Sequence, residues 1–185
     1  RGHDLKAISC SQRPNDQRIQ ILRYEHEVGE REGVHQQTLE VDDWIRRGEH
    51  VAHQATKLKE DGWAPDAMLA HPGWGEAILL KEIFPSTPLI IWPELWIRSE
   101  HLGHERQQIT VDQLLYVRIK NWLIDGAMSD ASLAILPTKY QAKTFPQKWQ
   151  NKITVLHEGI NKKLFEIQPL DELKLSEEII LKKDL

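Results

Sequence analysis

Cysteine occurs once in 185 residues, at Cys10. That excludes an internal disulfide framework and any multi-cysteine zinc or iron–sulfur site. Long apolar runs are missing as well; the longest, such as Leu89-Ile90-Ile91-Trp92, are far too short to cross a bilayer. Neither sign of charge dominates. Lys and Arg number 24 against 28 Asp and Glu, a formal net charge of −4, which gives no electrostatic reason to expect nucleic acid or an anionic membrane as main partner. There is no glycine-rich dinucleotide fingerprint, no Walker loop, no internal repeat and no low-complexity tract. The sequence opens on Arg1-Gly2-His3, with neither an initiator Met nor a signal peptide, and reads as a piece of a longer chain. What is present fits one globular domain of ordinary size: 40% hydrophobic residues, a mean hydropathy of −0.52 and a high count of seven Trp.

Along the chain, short β-rich runs alternate with helical patterns. Ile19–Tyr24 alternates with period two and reads as a strand, after the apolar-leaning run Leu5–Ile8 and a loop over Cys10–Asp16. The polar stretch Glu25–Glu40 reads as an exposed loop. Asp42 or Asp43 then caps a helix to Asp61 that stops at Gly62, with Trp44, Val51, Ala55 and Leu58 on one face. Ala67–Ala70, Pro88–Trp92, Ala131–Leu136 and Ile153–Leu156 read as buried strands. Helices are expected over Glu76–Phe84, over Leu114–Met128 with Thr110 or Asp112 as cap, and from Pro137-Thr138 to Phe145. The segment Glu94–Gln108 has no strong pattern. This order predicts an α/β domain, a Rossmann-like parallel sheet with helices on both faces. Ligands of such sheets sit beyond the carboxyl ends of the strands, which directs attention to the loops after Ala70, Trp92, Leu136 and Leu156.

The loop His71-Pro72-Gly73-Trp74-Gly75-Glu76 is the most informative of these. Gly73 and Gly75 let backbone N–H groups approach a ligand. Glu76 falls in an expected first helical turn, which the helix dipole favours without any functional need. Trp74 offers a flat face for a sugar ring or a base. The bland alternative is a tight turn with Trp74 tucked into the core. In Trp92-Pro93-Glu94-Leu95-Trp96 a carboxylate between two tryptophans, just past a strand end, suits a base or hydroxyl acceptor; the same features fit a surface pair of Glu94 with Arg98. His50-x-x-His53 and His101-x-x-His104 have helical spacing, but neither supplies the third ligand that zinc requires, so the reading is no metal. Cys10 has no adjacent partner that marks a nucleophile and reads as a small buried residue. Leu156-His157-Glu158-Gly159-Ile160-Asn161 is weak alone and gains only beside the other loops.

Together these stretches resemble a known family. Ala70-His71-Pro72-Gly73-Trp74-Gly75-Glu76-Ala77, then Lys81-Glu82-Ile83-Phe84-Pro85 and Pro88-Leu89-Ile90, resemble the amino-terminal domain of bacterial family 4 glycosyltransferases. Pro137-Thr138-Lys139-Tyr140-Gln141 with Phe145-Pro146 resembles a helix of that branch, and His157-Glu158-Gly159-Ile160-Asn161 its "HDGID" segment. The likeness runs from Arg1 to about Phe165, and Arg1-Gly2-His3 resembles the end of the family's first helix.

The resemblance implies one half of a GT-B fold, covering residues 1–168 with its start truncated, and residues 169–185 as a linker or the start of a second domain. It implies a retaining hexosyltransferase that moves sugar from a nucleotide-sugar donor to a hydroxyl of a carbohydrate or lipid-linked acceptor, with no cofactor and no metal. The carboxyl-terminal GT-B domain of the same chain would hold the donor, and this fragment alone would be inactive. The acceptor side would be built from His71, Gly73, Trp74, Gly75, Glu76, Trp92 and Glu94, with Glu94 the catalytic candidate; Thr138, Gln141, Glu158 and Gly159 would face the cleft from the donor side. A cytoplasmic location is implied, with attachment at the inner membrane face left open. Many members carry a His after the strand corresponding to Pro88–Trp92; here Glu94 stands in that neighbourhood, so no His role transfers there. Glu158 and Asn161 each stand where the branch has Asp. A GT-B relative such as a nucleotide-sugar epimerase, and a non-catalytic carbohydrate- or protein-binding module, are the alternatives. In an open parallel sheet the first strand is central. Its omission predicts two unpaired edges and an exposed apolar slot.

Overall fold

A computed structural model describes residues 2–10, 17–27, 32–102 and 109–159, with the backbone of 172–174 and 180–182. Arg1, His104, Asn161 and the proposed boundary at 168 lie outside the described residues. Two parallel sheets carry the fold. Strands β1 (Lys6–Ser9) and β2 (Gln20–Arg23) form one pair. Strands β3 (Met68–Ala70), β4 (Leu89–Ile91), β5 (Leu133–Leu136) and β6 (Ile153–Val155) form the other sheet, side by side in chain order. Helices α1 (Gln36–Glu60), α2 (Leu80–Ile83), α3 (Val111–Asp130) and α4 (Lys139–Thr144) connect them. The α/β class with parallel strands and intervening helices is the one the alternation indicated. Two strands of the tail, β7 (Glu172–Lys174) and β8 (Ile180–Lys182), pair antiparallel.

Strand direction is fixed at both ends. Below β1, Asp4 accepts a hydrogen bond from the Trp63 indole, 2.7 Å away and just ahead of β3. Beyond β2, the Tyr24 hydroxyl donates to Glu76, six residues past β3, also at 2.7 Å. The two sheets therefore run the same way, and their carboxyl ends meet on one crest.

Register puts alternate residues on opposite faces. Ala70, Ile91 and Ala134 share one face, continued by Met68, Leu89 and Leu136. With Val51, Ala55, Leu58, Ile124 and Met128 from α1 and α3 they make the core; Leu89, Ile91, Met128 and Leu136 are wholly buried. Burying each such side chain contributes about 1.5–3 kcal/mol.

Three boundaries differ from the sequence reading. Helix α1 starts at Gln36, where an exposed loop was expected, because the His35 imidazole accepts the Gln37 N–H at 3.1 Å and caps it. Asp42 and Asp43 lie inside the helix and pair one turn on with Arg46 and Arg47. The helix expected from Glu76 shrinks to Leu80–Ile83, since residues 76–79 are spent on turns. Finally, Ser99–His101 forms a 3-10 turn in the stretch without a pattern. Of the two caps the sequence offered for α3, Thr110 is the one used, reciprocally with Gln113, and the helix starts at Val111, ahead of the expected Leu114.

Candidate functional site

The crest gathers the loops that follow β1 to β4. After β3 the chain enters a 3-10 turn over Pro72–Trp74, with His71 as its cap: the His71 Nδ1 accepts the Gly73 N–H at 3.3 Å. Spending Nδ1 as an acceptor leaves the ring proton on Nε2, and Nε2 lies 3.5 Å from Glu94 Oε1. Glu94 thus faces His71, not Arg98, whose guanidinium binds the Lys143 and Thr144 carbonyls and approaches Glu100.

Glu94 carries the unusual backbone. Its φ of 58° is the one positive value at a non-glycine among the described residues. The Leu95 N–H donates to the Pro93 carbonyl at 2.6 Å across it, which makes Glu94 the centre of a left-handed γ-turn, a rare and strained form. Pro93 is buried and rigid beneath the turn, while the Glu94 side chain stays 64% exposed. A strained backbone that projects an exposed carboxylate over a strand end is the kind of feature that clusters at working sites.

Trp74 does not enter the core. It is 52% exposed, stacked at 6.3 Å on His71 and lying 5.8 Å from the Arg47 guanidinium and 5.7 Å from the Lys120 ammonium. Both cations are themselves paired, Arg47 with Asp43 and Lys120 with Glu40 at 3.0 Å. Burial opposes the Arg47 charge, but Asp43, with smaller contributions from Cys10 and Tyr24, outweighs it, so its pKa rises. The indole is thus a half-exposed platform held by His71, Arg47 and Lys120. Beneath it Trp44 is buried, as its helical spacing indicated.

Glu76 is held by Tyr24 in place of a helix dipole. Tyr24 is 5% exposed and stacks on His50 at 5.3 Å; burial, then the Glu76 carboxylate, push its pKa upward, so the phenol stays a donor. Removing that hydroxyl in Tyr24→Phe is expected to cost about 2 kcal/mol, read as a lower urea midpoint at unchanged slope. Around the pair, Asp43 binds both His26 and Arg47, and Arg47 Nη1 donates to the Cys10 sulfur at 3.2 Å. Cys10 is half-buried at the crest. Sequence reasoning missed this network, because Tyr24, His26 and Asp43 are far apart in the chain and no spacing announces them.

The remaining candidates sit further along the crest. Trp92 is half-buried, and its backbone N–H donates to the Ala70 carbonyl. Trp96 turns inward, edge-on to Phe145 at 5.8 Å. Thr138 caps α4: its hydroxyl accepts the Gln141 N–H and donates to the Gln141 side chain at 2.7 Å. Glu158 is exposed, and His157 Nδ1 accepts the Gly159 N–H at 3.0 Å, the same capping device as at His71. Among the described residues no group of three or more His, Cys, Asp or Glu side chains is placed to hold a metal ion. His50 faces Tyr24, and His53 lies by Glu49 on the surface. No helix among them is long and apolar enough to cross a membrane.

A parallel α/β domain with a glycine-bearing loop and two carboxylates over its strand ends is common to many enzymes, and comparison decides among them. Residues 1–165 match the family described as glycosyl transferase family 4 group. The chain belongs to that family. No curated protein matches it. Membership makes this a glycosyltransferase domain, with sugars as its substrates, and the match spans every loop of the crest.

Proposed function

We propose that this chain is the acceptor-side domain of a GT-B glycosyltransferase, taking an acceptor hydroxyl to the anomeric carbon of a nucleotide sugar with retention of configuration. The observation that carries the reading is Glu94, presented on a γ-turn with its carboxylate 3.5 Å from His71 Nε2. An acceptor hydroxyl donating to Glu94 is positioned on the face of the anomeric carbon from which the nucleoside diphosphate departs, so that the new C–O bond forms with retention as the C–O bond to the diphosphate breaks and the hydroxyl proton passes to the departing phosphate. The exposed part of the Trp74 indole contacts the acceptor ring, and Trp92 closes the far side of the same loop pair. Gly73 and Gly75 shape the acceptor-side loop that carries Trp74 and Glu76. A carboxyl-terminal domain supplies most of the diphosphate binding and closes the cleft, with residues 1–168 as one unit and 169–185 leading into the second. Thr138, Gln141, Glu158 and Gly159 face that closure. The chemistry asks for no cofactor beyond the donor. A carbohydrate or lipid-linked acceptor suits the open crest, and work at an inner membrane face is compatible with it.

The test is binding of the acceptor to the full enzyme. A panel of methyl glycosides and lipid-linked sugars, titrated with a sugar nucleotide present, should quench tryptophan emission. Trp74→Ala should weaken that binding about tenfold, the order of one ring-stacking contact. Unchanged affinity in Trp74→Ala for the glycoside that binds best would place the acceptor elsewhere.

A further inference from the structure

We propose that Tyr140 is a second wall of the acceptor site, a hydrogen-bond donor that selects the acceptor sugar by a hydroxyl other than the reacting one. The inference rests on the acceptor-side reading above and adds a specificity residue to it.

Strand order sets the geometry. Strands β3, β4 and β5 are parallel neighbours, so the segments that follow them emerge side by side on the crest. Trp74 stands after β3, Glu94 after β4 and Tyr140 on the first turn of α4, after β5. Strands β3 and β5 are two spacings apart, about 10 Å. That is room for one pyranose ring between two aromatic side chains, with the Glu94 carboxylate between them. Tyr140 is 66% exposed, yet it leans back toward that middle position. Its ring centroid lies 6.5 Å from that of His101, tilted by 55°, and His101 belongs to the segment after β4.

Both sides of this contact are fixed. On α4, Thr138 spends its hydroxyl on Gln141. After β4, the Trp96 N–H donates to the Thr144 hydroxyl at 3.1 Å, and the buried Asn121 amide brackets the Ile97 backbone. The Arg98 guanidinium then ties the segment to the Lys143 and Thr144 carbonyls. His101 Nδ1 accepts the Arg98 N–H at 3.1 Å. A ring nitrogen that accepts a backbone N–H carries no proton, so the proton of His101 is on Nε2. Nε2 lies 3.4 Å from the Tyr140 hydroxyl and donates to its oxygen. The phenol therefore receives a hydrogen bond and keeps its own O–H to give. Among the described residues no group accepts that proton.

Glu94 and Tyr140 thus offer opposite chemistry to one ring. The carboxylate accepts from the reacting hydroxyl, and the phenol donates to the oxygen of a second hydroxyl. A donor polarised by the imidazole behind it is strengthened, and its fixed position discriminates between sugars that differ at one carbon.

The test uses the full enzyme, the methyl glycoside that binds best in the acceptor panel, and the monodeoxy derivatives of that glycoside. Tyr140→Phe should raise the acceptor KM about fivefold, the order of one neutral hydrogen bond, with the sugar-nucleotide KM and the melting midpoint unchanged. One monodeoxy derivative should bind the parent enzyme about fivefold more weakly than the glycoside itself and should bind parent and Tyr140→Phe equally, because both changes remove the same bond. An unchanged acceptor KM in Tyr140→Phe overturns the assignment, as does a loss that persists for every derivative. A matching rise in the sugar-nucleotide KM also overturns it, since it would make Tyr140 a contact of the closing domain. If Trp74→Ala weakens acceptor binding and Tyr140→Phe does not, only Tyr140 is misassigned; if neither variant does, the acceptor-side reading itself fails.

Discussion

Glu94→Gln in the full enzyme is expected to lower the rate of sugar transfer by about 10²–10³-fold, the usual range for removing a positioned proton acceptor or one strong charge from a transition state. The change is nearly isosteric. It keeps a carbonyl oxygen facing His71 Nε2 and removes only the negative charge on which the proposed hydroxyl-accepting role depends. Stability should hardly move, because the side chain is 64% exposed and substitutions at exposed positions usually stay within about 0.5 kcal/mol. Glu94→Gly separates the two roles more sharply. The backbone at 94 has φ 58°, a region that costs a residue with a Cβ roughly 1–2 kcal/mol and costs glycine almost nothing. Glycine at 94 should therefore stabilise the domain by about 1 kcal/mol while removing transfer as fully as any substitution there. Paired urea titrations and a transfer assay read both effects. Full activity in Glu94→Gln would move the hydroxyl-accepting role to another group; a Glu94→Gly protein no more stable than its parent would show that the γ-turn stores no strain.

Much of this site was legible in the sequence, for identifiable reasons. The strand ends after Ala70 and Trp92 are marked by His71-Pro72 and by Pro93, so the loops that carry Trp74 and Glu94 could be located from apolar runs and prolines alone. Trp44, Val51, Ala55 and Leu58 repeat at helical spacing and are all buried. The start of α1 was not legible, because its first turn is polar and its cap is a histidine; imidazole caps are not among the residues that usually signal a helix start. The partners of the candidate carboxylates were hidden for a different reason. Arg98 is four residues from Glu94 and was the obvious mate, yet the γ-turn aims Glu94 back at His71, 23 positions upstream. Tyr24 reaches Glu76 over 52 positions. Pairings of that kind follow from how strands lie side by side, which a linear pattern does not encode.

The largest loss of stability is expected from Gly75→Ala. Gly75 has φ 90°, and a Cβ there would press on the Trp44 carbonyl oxygen with the Trp44 Cα only 2.6 Å away. Those are backbone atoms in the body of α1, so no rotamer change relieves the contact; either the loop lifts off the helix or the helix shifts. Gly48, on the same helix, faces the Gly75 carbonyl at a distance that would put an added Cβ 2.9 Å from it, so the close approach is built from both sides. The left-handed conformation adds its own roughly 1–2 kcal/mol, and with the overlap the total should reach about 3 kcal/mol or more, a fall of roughly 10 °C in melting midpoint for a chain of this size. Because Trp74 and Glu76 flank Gly75, any molecules that still fold should also lose the platform and the Tyr24–Glu76 bond. Gly126→Ala is the control that isolates the cause. Gly126 lies inside α3 with nothing within 4 Å of an added Cβ and no positive φ, so the methyl group removes glycine's entropic cost without a clash. That variant should gain about 0.5–1 kcal/mol. One chemical change, opposite in sign at two positions, would show that the neighbouring α1 backbone and the left-handed φ, not glycine as such, fix the loop on which Trp74 stands. Equal effects at both positions would refute the close packing of Gly75 on α1.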